Sequence, residues 1–114
     1  MFFQNPKRQS RDALISDLAS NDVNKICAAL VSISFYESDW KWAQDICLDC
    51  LKSDNIEVSK IAATCLGHIV RIHGMLEIDK VLDAFKQQEK NKAISGYISD
   101  AIDDINIFLV KNDV

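Results

Sequence analysis

Val23-Asn24-Lys25-Ile26-Cys27-Ala28 is answered thirty-five residues later by Val58-Ser59-Lys60-Ile61-Ala62-Ala63. A third, looser copy follows, in which Ile94, Tyr97, Ile98, Ala101, Ile102 and Ile105 take the apolar positions of Val58, Ile61, Ala62, Cys65, Leu66 and Ile69, one residue further along. A period in this range marks helical-pair repeats, whose units are too small to bury their own apolar faces and stack on their neighbours instead. A stack of this kind is a binding surface before it is anything else.

Helix signals fill the sequence around the three copies. Ser10 can cap a first helix with Leu14, Ile15 and Leu18 on one face, and Ser20-Asn21-Asp22 supplies a turn and the next cap. A second helix runs from about 22 to 35, with Val23, Ile26, Cys27, Leu30, Val31 and Ile33 at helical spacing. Ser38-Asp39 opens a third, carrying Ala43, Ile46, Cys47, Cys50 and Leu51, and Ser53-Asp54-Asn55 ends it. The fourth starts near Ile56 and closes at His73-Gly74, where glycine can take the left-handed conformation. A fifth begins at or just before Asp79 with Val81, Leu82 and Phe85 as its face, and a sixth spans about 93–110. The expectation is six helices in three antiparallel pairs. Gly67 sits mid-helix at a cost of about 1 kcal/mol relative to Ala, which points to a close approach there, by another helix or by a partner, with internal packing the favoured reading.

Composition agrees. One domain over residues 1–114 is long enough to build a core without metal or disulfide, and three glycines with one proline are too few for an all-β chain. The net charge of -4 argues against neutralising nucleic-acid phosphates and mildly favours a basic partner, although solubility alone accounts for it. Neither a secretory signal nor a membrane span is legible, so a cytoplasmic protein with reduced thiols at Cys27, Cys47, Cys50 and Cys65 is expected.

Candidate chemistry is sparse. Cys47-Leu48-Asp49-Cys50 has half the spacing of a zinc or redox site, but His68 and His73 are five residues apart and share no helical face. Core packing is the simpler role for the thiols, and no metal or other cofactor is expected. In register, His68 falls beside Asp104 and Thr64 beside Asp100, and Arg71 is near. No nucleophile or phosphate-cradling loop accompanies them, so no catalytic residue is assigned. The second helices would present Lys25, Lys60, Thr64, His68, Asp100 and Asp103 as a polar strip with an acidic end, Asp104 included, while Glu77, Asp79 and Asp83 add negative charge nearby. Lys7, Arg8 and Arg11 make the N-terminus the more basic end. Around Phe35-Tyr36-Glu37-Ser38-Asp39-Trp40-Lys41-Trp42, one tryptophan belongs to the core. That leaves Tyr36 and either Trp40 or Trp42 exposed as interface anchors, with Trp40 taken as the candidate, or as a cap on an incomplete first repeat.

Asn55 to Ile69, with Val58, Ala62-Ala63 and Leu66-Gly67-His68-Ile69, resembles a HEAT repeat. Trp42-Ala43-Gln44-Asp45-Ile46-Cys47, then Ala62 to Ile69 with Arg71-Ile72-His73-Gly74, then Asp100-Ala101-Ile102-Asp103-Asp104-Ile105 with Phe108-Leu109, resembles small bacterial HEAT-like proteins of toxin–immunity loci, among them immunity proteins of contact-dependent growth inhibition (CDI) systems. The likeness covers roughly residues 40 to 110. It implies an all-α fold, a short right-handed α-solenoid of about three hairpins, that binds a cognate toxin domain. The toxin would be a basic nuclease such as an RNase, blocked at its active site or substrate groove in a one-to-one complex with a monomer. Tyr36, Trp40, Lys60, Thr64, His68, Asp100, Asp103 and Asp104 are the candidate contacts. No nucleic acid or membrane is expected as partner. Two other readings are a general adaptor for a cellular protein and a nucleic-acid repair enzyme on the same scaffold; the mixed to acidic strip speaks against the latter.

Overall fold

The computed structural model of the chain describes residues 9–112, with side chains as far as Phe108. Its order is α1 (Arg11–Leu18), α2 (Val23–Tyr36), α3 (Trp40–Leu51), α4 (Ile56–His73), α5 (Ile78–Gln87) and α6 (Ser95–Asn112), and no strand occurs among the described residues. The starts are set by side chains that accept otherwise unpaired N–H groups. Ser10 accepts from Ala13 at 3.2 Å and Asp22 from Asn24 at 2.9 Å. Asp39 accepts from Trp42 at 3.1 Å, and Asn55 from Glu57 at 3.0 Å. Gly74, at φ 65°, closes α4 and donates to the Val70 carbonyl at 2.9 Å. A Cβ at that φ is strained, which is why glycine holds the position.

The second helices, α2, α4 and α6, lie side by side in one layer, and α1, α3 and α5 form the other. Within the layer, starts meet starts and ends meet ends. Lys60 lies over the Tyr97 ring, Phe35 touches His68, and Arg71 lies over Phe108. The three helices therefore run parallel, as stacked hairpins require. The short all-α solenoid expected from the repeat is what the chain forms.

Buried residues recur in register. Val58, Ala62, Cys65 and Ile69 of α4 are matched in α6 by Ile94, just ahead of that helix, and by Ile98, Ala101 and Ile105, all buried. Two positions of the third copy depart from the pattern. Tyr97 is 41% exposed and Ile102 only half-buried, because α6 ends the row and lacks a neighbour on its far side. Gly67 is buried, and a Cβ there would come within 2.7 Å of the Asp104 carboxylate and 3.5 Å of the Ala101 Cα. The close approach inferred from the sequence is thus that of α6.

The outer helices are narrower than their sequences suggest. Ile15 and Leu82, expected on buried faces, are exposed, since α1 and α5 each have cover on one side and bury only Leu14, or Val81 and Phe85. Among the described residues no helix is long and apolar enough to cross a membrane.

All four cysteines are free thiols on packed helix faces, three of them buried and Cys50 half-buried. The hydrogen bond from the Cys47 thiol to the Cys65 sulfur raises Cys47 well above the ordinary thiol range, helped by burial, and the same bond holds Cys65 below that range against its own burial. Burial pushes Cys50 up to about 11. Among the described residues no group of three or more His, Cys, Asp or Glu side chains is arranged to hold a metal ion.

Candidate partner-binding face

The solvent side of the α2/α4/α6 layer gathers most of the candidate residues. At its start, Lys60 stands 5.4 Å from the Tyr97 ring centroid and 3.6 Å from Glu57. Thr64, Asp100 and Asp104 follow toward the middle. Asp100 is exposed, and Asp104 lies across the Gly67 surface of α4, one residue from His68. The register expected for Asp104 is close to the one observed, but no hydrogen bond or ion pair joins it to His68 among the described residues. His68 instead sets its ring 5.1 Å from that of Phe35, tilted by 55°, and its imidazole also bears on the Cys65 thiol, helping to lower it.

The far end of the face is aromatic. Phe35, His68, Arg71, Ile72 and Phe108 line a groove of 340 Å³, with the Arg71 guanidinium 5.7 Å from the Phe108 centroid. Phe35 is 45% and Ile72 46% exposed, so apolar surface is left open where three helices end together. Sequence reading reached Arg71 as a neighbour of His68 and as part of the family-like stretch, without assigning it a contact. It missed Phe35 and Phe108 as groove walls, because a helical period marks buried faces and is silent on which exposed apolar residues converge.

Three candidates lie elsewhere. Asp103 points into a separate 440 Å³ groove between α5 and α6, beside Leu82, Lys86 and Glu89, because it sits about 100° around the helix from Asp104. Tyr36 is exposed on the α1 side, near Leu14 and Glu37. Trp40 is packed against the core and only partly exposed, as is Trp42, which lies 4.2 Å under the Arg11 guanidinium. Neither tryptophan is the open anchor expected of one of them. Lys7, Arg8 and the Leu109 side chain lie outside the described residues.

A few charges on the outer layer are tied in pairs. Arg11 pairs with Glu37 at 2.8 Å and Asp39 at 3.8 Å, and Lys80 with Asp45 at 3.1 Å and Glu77 at 3.9 Å. Glu77, read from sequence as part of an acidic surface, also accepts from the Gln44 amide at 2.7 Å, while its own N–H donates to Gln44 Oε1 at 2.7 Å. Gln44 is fully buried and fastens the start of α5 to α3. A glutamine beside Ala43 and Cys47 on an apolar stripe was the available signal for it.

A parallel row of helices, backed by a second layer and presenting a face of mixed charge and aromatic groove, defines a helical-repeat binding domain. No protein-family model and no curated protein matches the chain. Among solved structures it is similar to a chain from the crystal structure of a CDI complex from Cupriavidus taiwanensis LMG 19424, with a TM-score of 0.87 and 29% identity, over 97% of this chain and 98% of that one. The CDI resemblance read from residues 40 to 110 is borne out, and it extends to the first hairpin.

Proposed function

We propose that this chain is an immunity protein, which binds a cognate toxin domain and neutralises it without catalysing a reaction. The observation that carries this reading is the end-to-end likeness to a chain of a CDI complex, at 29% identity and with almost nothing left over on either side. A partner protein is the coarser part of the proposal, and the likeness supports it. The finer part, that the toxin is a nuclease held one-to-one, draws on charge. A net -4 chain with Asp100 and Asp104 on its open face, neither paired with a cation among the described residues, suits a basic, phosphate-binding surface, and complementary charge speeds the association that protection requires.

The α2/α4/α6 face is the contact surface of this proposal, with Lys60, Thr64, His68, Asp100 and Asp104 upon it. Blocking the toxin's active site or substrate groove needs rigid shape, which a row of packed helices supplies.

The test is a titration. The toxin domain encoded next to this chain's gene is assayed on RNA and DNA while the purified chain is added. Activity is expected to fall linearly to zero at one molar equivalent, and growth of cells expressing the toxin to be restored by co-expression. Full toxin activity at a tenfold excess of the chain contradicts the proposal.

A further inference from the structure

Arg71 differs from the paired cations Arg11, Lys60 and Lys80 in its setting, the rim of an aromatic groove. Arg11 and Lys80 each pair with two carboxylates on the outer layer, and Lys60 pairs with Glu57. Arg71, in a chain with more acidic than basic residues, has no carboxylate within ion-pair distance among the described residues, and its one recorded contact is the face of Phe108. It is exposed at the mouth of the groove whose walls are Phe35, Phe108, Ile72 and the His68 ring.

We infer that this groove is a socket for an acidic side chain of the protein partner, whose carboxylate meets the Arg71 guanidinium while its carbon stem lies between Phe35 and Phe108. The inference rests on the partner-binding reading above and adds the chemistry of one contact to it. Three observations converge. The Arg71 guanidinium lies over the Phe108 ring, 5.7 Å from its centroid, a cation–π placement that holds the charge at the groove where a carboxylate can meet its N–H fork. Phe35 and Ile72 are nearly half-exposed, so a partner seated there removes apolar surface from water and lowers the local dielectric around the new ion pair. The third is charge sign: a basic side chain in the same groove would meet the Arg71 charge with repulsion, and a neutral apolar one would offer it no partner, whereas an acidic one pairs with it.

The consequence is a face of two signs. Asp100 and Asp104 set the attraction for a basic toxin surface, and the Arg71 socket sets register, because a partner must offer an acid at one place amid its basic groups. Loss of the socket is therefore expected mainly as faster dissociation, and loss of the aspartates mainly as slower, salt-sensitive association.

Two arms test this. In the first, benzoate is titrated into the full chain and followed by NMR at the Arg71 Nε–H and the Phe35 and Phe108 ring protons, with benzamide and benzylamine as controls. Saturable shifts with benzoate, much weaker with benzamide, absent with benzylamine and lost in Arg71→Gln, are expected. Equal response to all three probes, or a benzoate response unchanged in Arg71→Gln, overturns the socket whatever the partner is. In the second, the neighbouring toxin domain is bound to wild type, Arg71→Gln and Arg71→Glu. The glutamine variant is expected to raise Kd by about tenfold to a hundredfold through the dissociation rate, and the glutamate variant to raise it further. Unchanged Kd in both overturns the socket while leaving the immunity reading intact. A wild-type chain that does not bind the toxin overturns the immunity reading, and the benzoate arm still decides the groove's chemistry.

Discussion

The two helix layers use the same kinds of residue to opposite ends. On the outer layer, several charged and amide side chains tie one element to another: Arg11 to Glu37, Lys80 to Asp45, and Gln44 to Glu77. These contacts hold short helices that bury little. On the inner layer, length and apolar burial provide the stability, α4 alone burying Val58, Ala62, Ala63, Cys65, Leu66, Ile69 and Val70. On its open face Lys60 is paired with Glu57, while Asp100, Asp104 and Arg71 have no ion-pair partner among the described residues. Where packing suffices, unpaired charge can be kept for a partner.

The largest difference between the layers should appear in core truncations. Leu66→Ala, at a fully buried position between α3 and the inner layer, is expected to cost about 2–5 kcal/mol in urea unfolding, whereas Leu82→Ala on exposed α5 should cost well under that, about 1 kcal/mol or less. Similar losses at both sites would break the contrast.

Next in size is the buried amide clamp. Gln44→Ala leaves the Glu77 N–H without its acceptor and the α5 start unfastened, which should destabilise the chain by about 1–3 kcal/mol and raise hydrogen exchange around Ile78 to Phe85 first. An unaltered exchange pattern in α5 would show that the clamp is not what holds it.

The exposed pair Lys80–Asp45 should matter least among the tethers. Asp45→Asn is expected to leave stability almost unchanged, with any loss smaller at high salt, measured by thermal unfolding.

A smaller pH effect follows from the thiols. Cys27 and Cys50 are raised chiefly by burial, Cys50 to about 11, so the unfolded chain loses these protons at lower pH than the folded one. Their contribution is complete below about pH 9 and is lost as pH rises toward 11. Urea midpoints should decline across that window, and less steeply in Cys50→Ala. A rise in stability over the same interval would contradict the sign.

Much of this architecture was legible before any coordinates. The caps Ser10, Asp22, Asp39 and Asn55 announce themselves by residue type, and Gly74 by its place after the last periodic residue. The inner layer was readable because its helices repeat, and repetition is a backbone-independent signal of equivalent burial. The outer helices were less so: Ile15 and Leu82 fit an apolar stripe, but whether a stripe is covered depends on neighbours the sequence does not name. The candidate face divides in the same way. Lys60, Thr64, His68, Asp100 and Asp104 were found because register places them on one side, while Asp103 turned away by a single helical step. Trp40 and Trp42 were weighed as anchors because large aromatics suit interfaces. Yet burial against the core and the Arg11 stack account for both.

The claim that matters most is that the inner layer's open face, and not the outer layer, meets the partner. Association and dissociation rates of the neighbouring toxin domain, measured for Asp100→Lys on α6 and Asp83→Lys on α5, test it with two exposed charge reversals of equal size. A loss of affinity of about tenfold or more for Asp100→Lys, seen mostly in salt-dependent association, with Asp83→Lys within about twofold of wild type, is the predicted result. The reverse order, or equal small effects, would contradict it.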